Sequence, residues 1–126
     1  MMKNTSRLIT KIFMDSSELI TGAAVKTPHG IELVTEVRSK SVLTASGEHP
    51  VDRLWPVEIT PELLRDSGWE HKGGYYILRD TPRLGWRNGE LILGYSLFPV
   101  KVLYVHHLQM IMRCAGISFQ LREGIG

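Results

Sequence analysis

The sequence predicts a small α+β domain, and three observations support this fold class. Short segments that alternate between apolar and polar residues, separated by turn residues, fill positions 22–59. A helix-start signal follows at Thr60, and an Asn-Gly turn predicts an antiparallel hairpin. Apolar residues at helical spacing then run through 104–116. We therefore expect an SH3-like, antiparallel strand-rich module, a short helix, an antiparallel hairpin region and a packed C-terminal helix.

The composition is that of one globular domain. The chain has 126 residues, of which 43% are hydrophobic and 22% are charged, as in ordinary folded domains. We expect a single domain over 1–126. Its parts are an N-terminal segment, 1–20, a small curled sheet, 22–59, and a third part with the two helices, the hairpins and a final strand, 60–126. The net charge of +2 does not by itself indicate a nucleic acid or a membrane as the partner. The single cysteine, Cys114, favours a reducing, cytoplasmic setting.

We interpret residues 1–20 as an amphipathic N-terminal segment. Lys11 interrupts its apolar run, which argues against a signal peptide, and no run in the chain is long enough to span a bilayer as a helix. The apolar side chains instead recur at helical spacing: Leu8, Ile9, Ile12 and Phe13. We therefore expect a short helix that docks on the body of the domain.

Residues 22–59 are expected to form a small curled sheet. Its predicted strands are 23–27, 31–39, 41–45 and 51–55. Ile31, Leu33 and Val37 fall on one side of their strand, so one face should be buried. Trp55 is the only aromatic residue between positions 14 and 68, which argues against an aromatic cage for a cation. Any binding by this sheet is expected at an edge strand or a surface patch.

The strongest local signal is a helix start at Thr60. Its side chain can accept a hydrogen bond from a free amide of the first turn, and Pro61 loses no hydrogen bond at this position. Glu62 complements the positive end of the helix dipole. We expect the helix to end at Gly68. Two tryptophans are expected to bracket it as packing anchors: Trp55 and Trp69.

The Asn-Gly turn at 88–89 fixes the register of a hairpin within the antiparallel strands expected over 70–98. It pairs Arg87 with Glu90, and this solvated pair should contribute little to stability. The pairs that follow are Trp86 with Leu91, Gly85 with Ile92, and Leu84 with Leu93. The side chains expected on the core-facing side are those of Leu84, Trp86, Leu91, Leu93 and Tyr95.

A second helix is expected to begin near Leu103, with an apolar stripe on one side. The stripe spans an arc of roughly 120° and comprises Tyr104, Val105, Leu108, Ile111, Met112 and Ala115. The opposite, polar side carries His106, Gln109, Met110 and Arg113. We expect Gly116 to cap this helix and 117–123 to form a final strand.

The adjacent histidines of this helix are not expected to form a metal site. Neighbouring helical residues point about 100° apart, so the imidazoles of His106 and His107 should diverge. Cys114 lies two turns from His107, roughly 10 Å along the helix axis. We therefore predict no metal ion and no cofactor.

The sequence contains no convincing catalytic constellation. Residues 94–98 lack the second glycine of a nucleophile elbow. A triad of Ser96, His71 and Asp80 has no support beyond the presence of these residue types. Motifs for phosphate, dinucleotide and calcium binding do not occur. We expect no catalytic residues and no enzyme.

Basic and aromatic residues alternate between 72 and 101, as they do in proteins that bind single strands. The candidate residues for binding nucleic acid or another partner are Lys72, Tyr75, Tyr76, Arg79, Arg83 and Arg87. Because Trp86 and Tyr95 are assigned to the core, one of the two adjacent tyrosines is expected to supply the exposed ring.

Two segments resemble a group of short bacterial proteins found in chromosomes and prophage-like elements. Residues 55–64 with Gly68-Trp69 are similar to the pattern Pro-Ile/Leu-x-Leu-Thr-x-x-x-Leu-x-x-x-Gly-Phe, and 104–109 to Tyr-Val-His-x-Leu-Gln. The likeness covers about half the chain, Leu54 to Phe119. The family has no established activity, so the resemblance leaves open whether its matching residues serve function or helix packing: Tyr104, His106, Leu108 and Gln109.

The absence of a catalytic constellation in the sequence favours a non-catalytic protein-binding or assembly module in the cytoplasm. Single-stranded nucleic-acid binding is the alternative, and a hydrolase-type enzyme comes third. We expect a protein as the partner and no membrane partner.

Overall fold

The structure, a computed structural model, describes Met14 and residues 16–78, 84–94 and 96–117. Several sequence predictions fall outside these residues: the helix within 1–13, Arg79, Asp80, Arg83, Tyr95 and the final strand beyond Ile117.

Strands dominate the described residues and form three antiparallel sheets. In chain order they are β1 Ala24–Thr27, β2 Gly30–Leu33, β3 Glu36–Val37, β4 Ser41–Thr44, β5 Gly47–Pro50, β6 Trp55–Pro56, β7 Trp69–Lys72, β8 Tyr75–Leu78, β9 Leu84–Arg87, β10 Glu90–Leu93 and β11 Ser96–Leu97. The sheet orders are β2-β1-β6, β3-β4-β5 and β11-β10-β9-β8-β7. The strand-rich α+β class is confirmed, whereas the three sheets stay separate rather than closing into an SH3-like barrel.

Two strand predictions within 22–59 were wrong. The predicted strand 31–39 is divided between two sheets, because the amide of Val34 donates to Ala23 and the amide of Thr35 donates to Leu43. Each half therefore packs against a different core cluster. The predicted strand 51–55 begins as a 3₁₀ turn, Val51–Arg53, and the preceding residues form β5 instead.

The first helix, α1, spans Pro61–Asp66, as the capping signal predicted. The Thr60 hydroxyl accepts a hydrogen bond from the amide of Leu63 at 3.1 Å, and Gly68 follows the helix at a φ of +95°. Trp69 is buried, as expected of a packing anchor. Trp55 is not such an anchor: it lies opposite the exposed Lys26, so its side chain is 45% exposed.

The hairpin formed by β9 and β10 has the predicted register, from the Arg87–Glu90 pair to the Leu84–Leu93 pair. Asn88 and Gly89 have φ values of +50° and +88°, as a type I′ turn requires. On the side predicted to face the core, Leu84, Trp86 and Leu91 are buried and Leu93 is partly buried.

The second helix, α2, spans Val105–Cys114 and begins two residues later than expected. It packs against the five-stranded sheet and α1 in one hydrophobic cluster, whereas Met14 and Leu19 belong to a second cluster with parts of β1 and β4. Among the described helices, none has the length and apolar character needed to cross a membrane.

Candidate functional site

The first turn of α2 is anchored by backbone hydrogen bonds on both sides. The amide of Val105 donates to Val57 at 2.8 Å, and the amide of Ile59 donates to Leu103 at 2.9 Å. The residue before the helix, Tyr104, provides no side-chain cap, and the first turn carries no acidic residue. Because the positive end of a helix dipole favours a nearby carboxylate, this end of α2 can accept one from another part of the chain.

Glu18 supplies that carboxylate. It ends a 3₁₀ turn, Ser16–Glu18, and its Oε1 lies 3.3 Å from Nε2 of His106 and 3.1 Å from Nε2 of His107. The two imidazole centroids are only 4.1 Å apart. Each of these three side chains offers one atom of a type that can ligate a metal ion, and the three atoms all lie within 4.8 Å of one another. We call this cluster the Glu18–His106–His107 triad.

The prediction that the two imidazoles diverge is therefore wrong. The 100° spacing describes where side chains leave a helix, and the rings reach far enough beyond that point to flank one carboxylate. The polar side of α2 was also misassigned, because His106 and Gln109 are only 1% and 9% exposed. The segment from Glu18 to Ala24 covers them, whereas Ala115 of the expected apolar stripe is exposed beyond the helix end.

The two histidines of the triad have different environments. The side chain of His106 is 1% exposed, whereas that of His107 is 42% exposed and that of Glu18 is 35% exposed. Burial lowers the pKa of His106, and the neighbouring His107 lowers it further, although the hydrogen bond to Glu18 acts in the opposite direction. This lowered pKa favours the neutral form of the buried ring, which is the form that ligates metals.

Gln109 has a structural role. Its side-chain oxygen accepts a hydrogen bond from the amide of Ala24, and its side-chain nitrogen donates to the carbonyl of Gly22, both at 2.9 Å. Leu108, on the preceding position, is fully buried in the main hydrophobic cluster. In the Tyr-Val-His-x-Leu-Gln segment, the last two positions thus attach α2 to the core and to the start of β1.

Three of the residues predicted to bind nucleic acid or another partner come together on the outer face of the five-stranded sheet. Lys72 pairs with Tyr75 across β7 and β8, and the guanidinium of Arg87 lies 4.6 Å above the Tyr75 ring. A cavity of about 150 Å³ opens beside Lys72 and Tyr75. Tyr76 lies elsewhere, packing against the core.

Both described cations on this face have acidic neighbours. Lys72 Nζ lies 3.8 Å from a carboxylate oxygen of Glu70, and an Arg87 nitrogen lies 3.4 Å from one of Glu90. These carboxylates offset the positive potential that would attract a phosphate backbone. Nucleic-acid binding stays a prediction.

The structure separates Ser96 from His71, which together with Asp80 were the residue types of a possible serine-type catalytic site. Ser96 lies on β11 and His71 on β7, which are the two outer strands of the five-stranded order. A nucleophile and its base must lie within hydrogen-bond reach of each other. Placement at opposite ends of a sheet does not provide that contact.

Glu18 is the functional candidate that the sequence did not reveal. It lies 88 residues before His106, and nothing in the local pattern around it resembles a ligand motif. The only available signal was the pair of adjacent histidines at a helix start that lacks an acidic residue. Comparisons with protein-family models, curated proteins and solved structures find no match to this chain.

Proposed function

We propose that this chain binds a divalent transition metal ion, Zn²⁺ being the best fit, through Glu18, His106 and His107. The observation that carries the proposal is the convergence of two imidazole nitrogens on one carboxylate oxygen, at 3.1 and 3.3 Å. In a tetrahedral zinc site with bonds of about 2.0–2.1 Å, neighbouring ligand atoms lie about 3.3 Å apart. The two distances from the carboxylate oxygen of Glu18 already match this separation, and all three ligand atoms lie within 4.8 Å of one another.

The donor set favours zinc over the common hard cations. Two imidazole nitrogens and one carboxylate oxygen are typical of zinc and related transition metals, whereas Ca²⁺ and Mg²⁺ prefer all-oxygen sites. Burial holds the ring of His106 in place, so part of the cost of ordering the ligands is met on folding.

One feature of His106 limits the expected affinity. Its Nδ1 is buried and has no hydrogen-bond partner among the described residues, whereas metal-bound histidines usually donate from the second nitrogen to an acceptor. With three ligands and no such support, we expect a Kd on the order of 1 µM, weaker than four-ligand structural zinc sites.

Zinc titration of the full chain, free of any polyhistidine tag, tests this proposal. Isothermal titration calorimetry should give one zinc ion per chain, and His107→Ala should weaken binding about 100-fold or more because one of three ligands is lost. His107 is suited to substitution because its side chain is partly exposed, so the fold should survive. Glu18→Gln should also weaken zinc binding, because an amide oxygen replaces the carboxylate ligand.

The matched control is His29→Ala, which removes an exposed histidine from the turn between β1 and β2. It should leave the zinc affinity unchanged. If the wild-type chain binds no zinc, the proposal fails. It also fails if His107→Ala and His29→Ala bind zinc equally well, since the ion would then be held elsewhere.

A second candidate function, assembly of the chain with a copy of itself, rests on a different observation. Three of the large apolar side chains that are exposed in the described residues lie within seven positions: Leu97, Val100 and Leu103, at 58%, 62% and 47%. We name them the apolar ledge. It begins on β11, which pairs only with β10 among the described strands. Two copies related by a two-fold axis can pair such an edge with itself and cover both ledges.

Analytical ultracentrifugation over a wide concentration range tests self-assembly. The wild-type chain should form a concentration-dependent dimer, and Val100→Glu should remain monomeric because two carboxylates would be buried in the contact. Lys40→Glu, which also places a glutamate at an exposed position, should still dimerise. A wild-type chain that stays monomeric, or a Val100→Glu variant that dimerises normally, would rule out the ledge as the contact.

A further inference from the structure

The Glu18–His106–His107 triad offers a tetrahedral metal ion one ligand fewer than it needs. Within the described residues, the group of histidine, cysteine and acidic ligand atoms at this place consists of these three side chains. Zinc is typically four-coordinate, and sites with three protein ligands complete the shell with a water molecule or an external ligand.

The geometry leaves one side of the triad open to solvent. His106 closes the inner side, because its ring is almost completely buried. The side chains of Glu18 and His107 are both more than a third exposed, so they lie on the solvent-facing side of the triad. The ring of Tyr104 flanks the site, with its centroid 6.1 Å from that of His106 and 6.0 Å from that of His107.

The charge at this position favours an anion. A divalent ion held by one carboxylate and two neutral imidazoles keeps a net charge of about +1. The site also lies at the positive end of α2, where the carboxylate of Glu18 compensates for a first turn that carries no acidic residue of its own. The remaining positive charge of the metal stabilises a negatively charged ligand relative to a neutral one of the same shape.

From these observations we infer that the fourth coordination position is an exchangeable site for a small anionic Lewis base of the carboxylate class. The inference rests on the metal site proposed above and names the class of ligand that this site takes. Binding replaces a metal-bound water molecule by a carboxylate oxygen, with no change in the oxidation state of the metal. The carboxylate can belong to a free small molecule or to a side chain of another protein, since the donor group is the same.

Cobalt provides the measurement, because Co²⁺ occupies zinc sites and its visible absorption reports changes in its ligands. The full chain loaded with one Co²⁺ is titrated with acetate and, separately, with acetamide, which has nearly the same shape but no charge. Acetate should change the visible spectrum saturably and reversibly. Acetamide should bind about 10-fold more weakly or worse, because it gains nothing from the charge of the site.

The outcomes separate this inference from the proposed metal site. If Co²⁺ binds and acetate leaves the spectrum unchanged, the fourth position is closed and the inference is overturned while the metal site stands. Equal responses to acetate and acetamide would contradict the preference for anions. Ultrafiltration of the acetate-treated sample separates free Co²⁺ from the protein. Release of Co²⁺ into the filtrate would show that acetate competes for the metal instead of coordinating it at the site, and would also overturn the inference. If neither Zn²⁺ nor Co²⁺ binds, the metal site fails and the inference fails with it.

Discussion

Replacing Gln109 by methionine is expected to lower the free energy of unfolding by about 3 kcal/mol, because a buried backbone amide and a partly buried carbonyl lose their partners. The amide of Ala24 and the carbonyl of Gly22 both bond to the Gln109 side chain at 2.9 Å. Methionine fills nearly the same volume, so the loss reports the hydrogen bonds rather than a cavity. Urea denaturation followed by circular dichroism measures it.

The control for this substitution is Arg113→Ala, one turn further along α2, where the side chain is exposed. It should change the free energy of unfolding by less than about 0.5 kcal/mol. A Gln109→Met variant as stable as the wild type would mean that water replaces the hydrogen bonds of the Gly22 carbonyl and the Ala24 amide. In that case Gln109 would not be the structural attachment described above.

Local signals in the sequence predicted the elements that depend on neighbouring residues. The hairpin register follows from Asn88-Gly89 because a two-residue type I′ turn allows one pairing of the flanking strands. The start of α1 follows from Thr60-Pro61 because both residues act within a single turn. Neither element depends on which other part of the chain it packs against.

Predictions failed where the structure depends on which other segment a residue pairs with. Residues 31–39 alternate like one strand, yet the chain changes sheets at Val34 because Ala23 and Leu43 offer different backbone partners. Trp55 looked like a core residue because tryptophan usually packs, and only its pairing opposite Lys26 explains its exposure. Residue type and spacing within a segment do not identify these pairing partners.

The candidate metal site escaped prediction for the same reason. A helical wheel places His106 and Gln109 away from the apolar stripe, and it cannot show that residues 18–24 cover that side. The ligand set consequently looked incomplete, since the carboxylate of Glu18 comes from a 3₁₀ turn at the other end of the described chain.

Glu32 holds two of the sheets together through hydrogen bonds to its carboxylate. Its oxygens accept from the hydroxyl of Thr27 at 2.6 Å, and from the hydroxyl and amide of Ser46 at 2.8 and 3.0 Å. The Ser46 oxygen also lies 2.8 Å from Nε2 of His49. The serine hydroxyl has one proton and donates it to Glu32, so its oxygen accepts a hydrogen bond from His49. Ser46 and His49 are therefore not arranged as a nucleophile and its general base.

Because these hydrogen bonds favour the ionised carboxylate of Glu32, the free energy of unfolding is expected to depend on pH. Partial burial raises the pKa of this carboxyl, but the hydrogen bonds from Thr27, Thr44 and Ser46 outweigh it and lower the pKa from 4.5 to about 2. Since the folded state has the lower pKa, ionised Glu32 stabilises the fold above pH 4.5. That contribution decreases as the pH falls toward 2.

Glu32→Gln is therefore expected to lower the free energy of unfolding by about 2 kcal/mol at pH 7. This value is smaller than the free energy that corresponds to the whole pKa shift, because the carboxylate is partly exposed to solvent. The difference from the wild type should shrink steadily between pH 4.5 and about 2. Urea denaturation of both proteins across this pH range measures the difference.

The control is Glu90→Gln, which removes the solvated partner of Arg87. It should lower the free energy of unfolding by less than about 1 kcal/mol. A Glu32→Gln effect that is the same at pH 7 and near pH 2 would mean that ionisation of this carboxyl does not contribute to joining the two sheets.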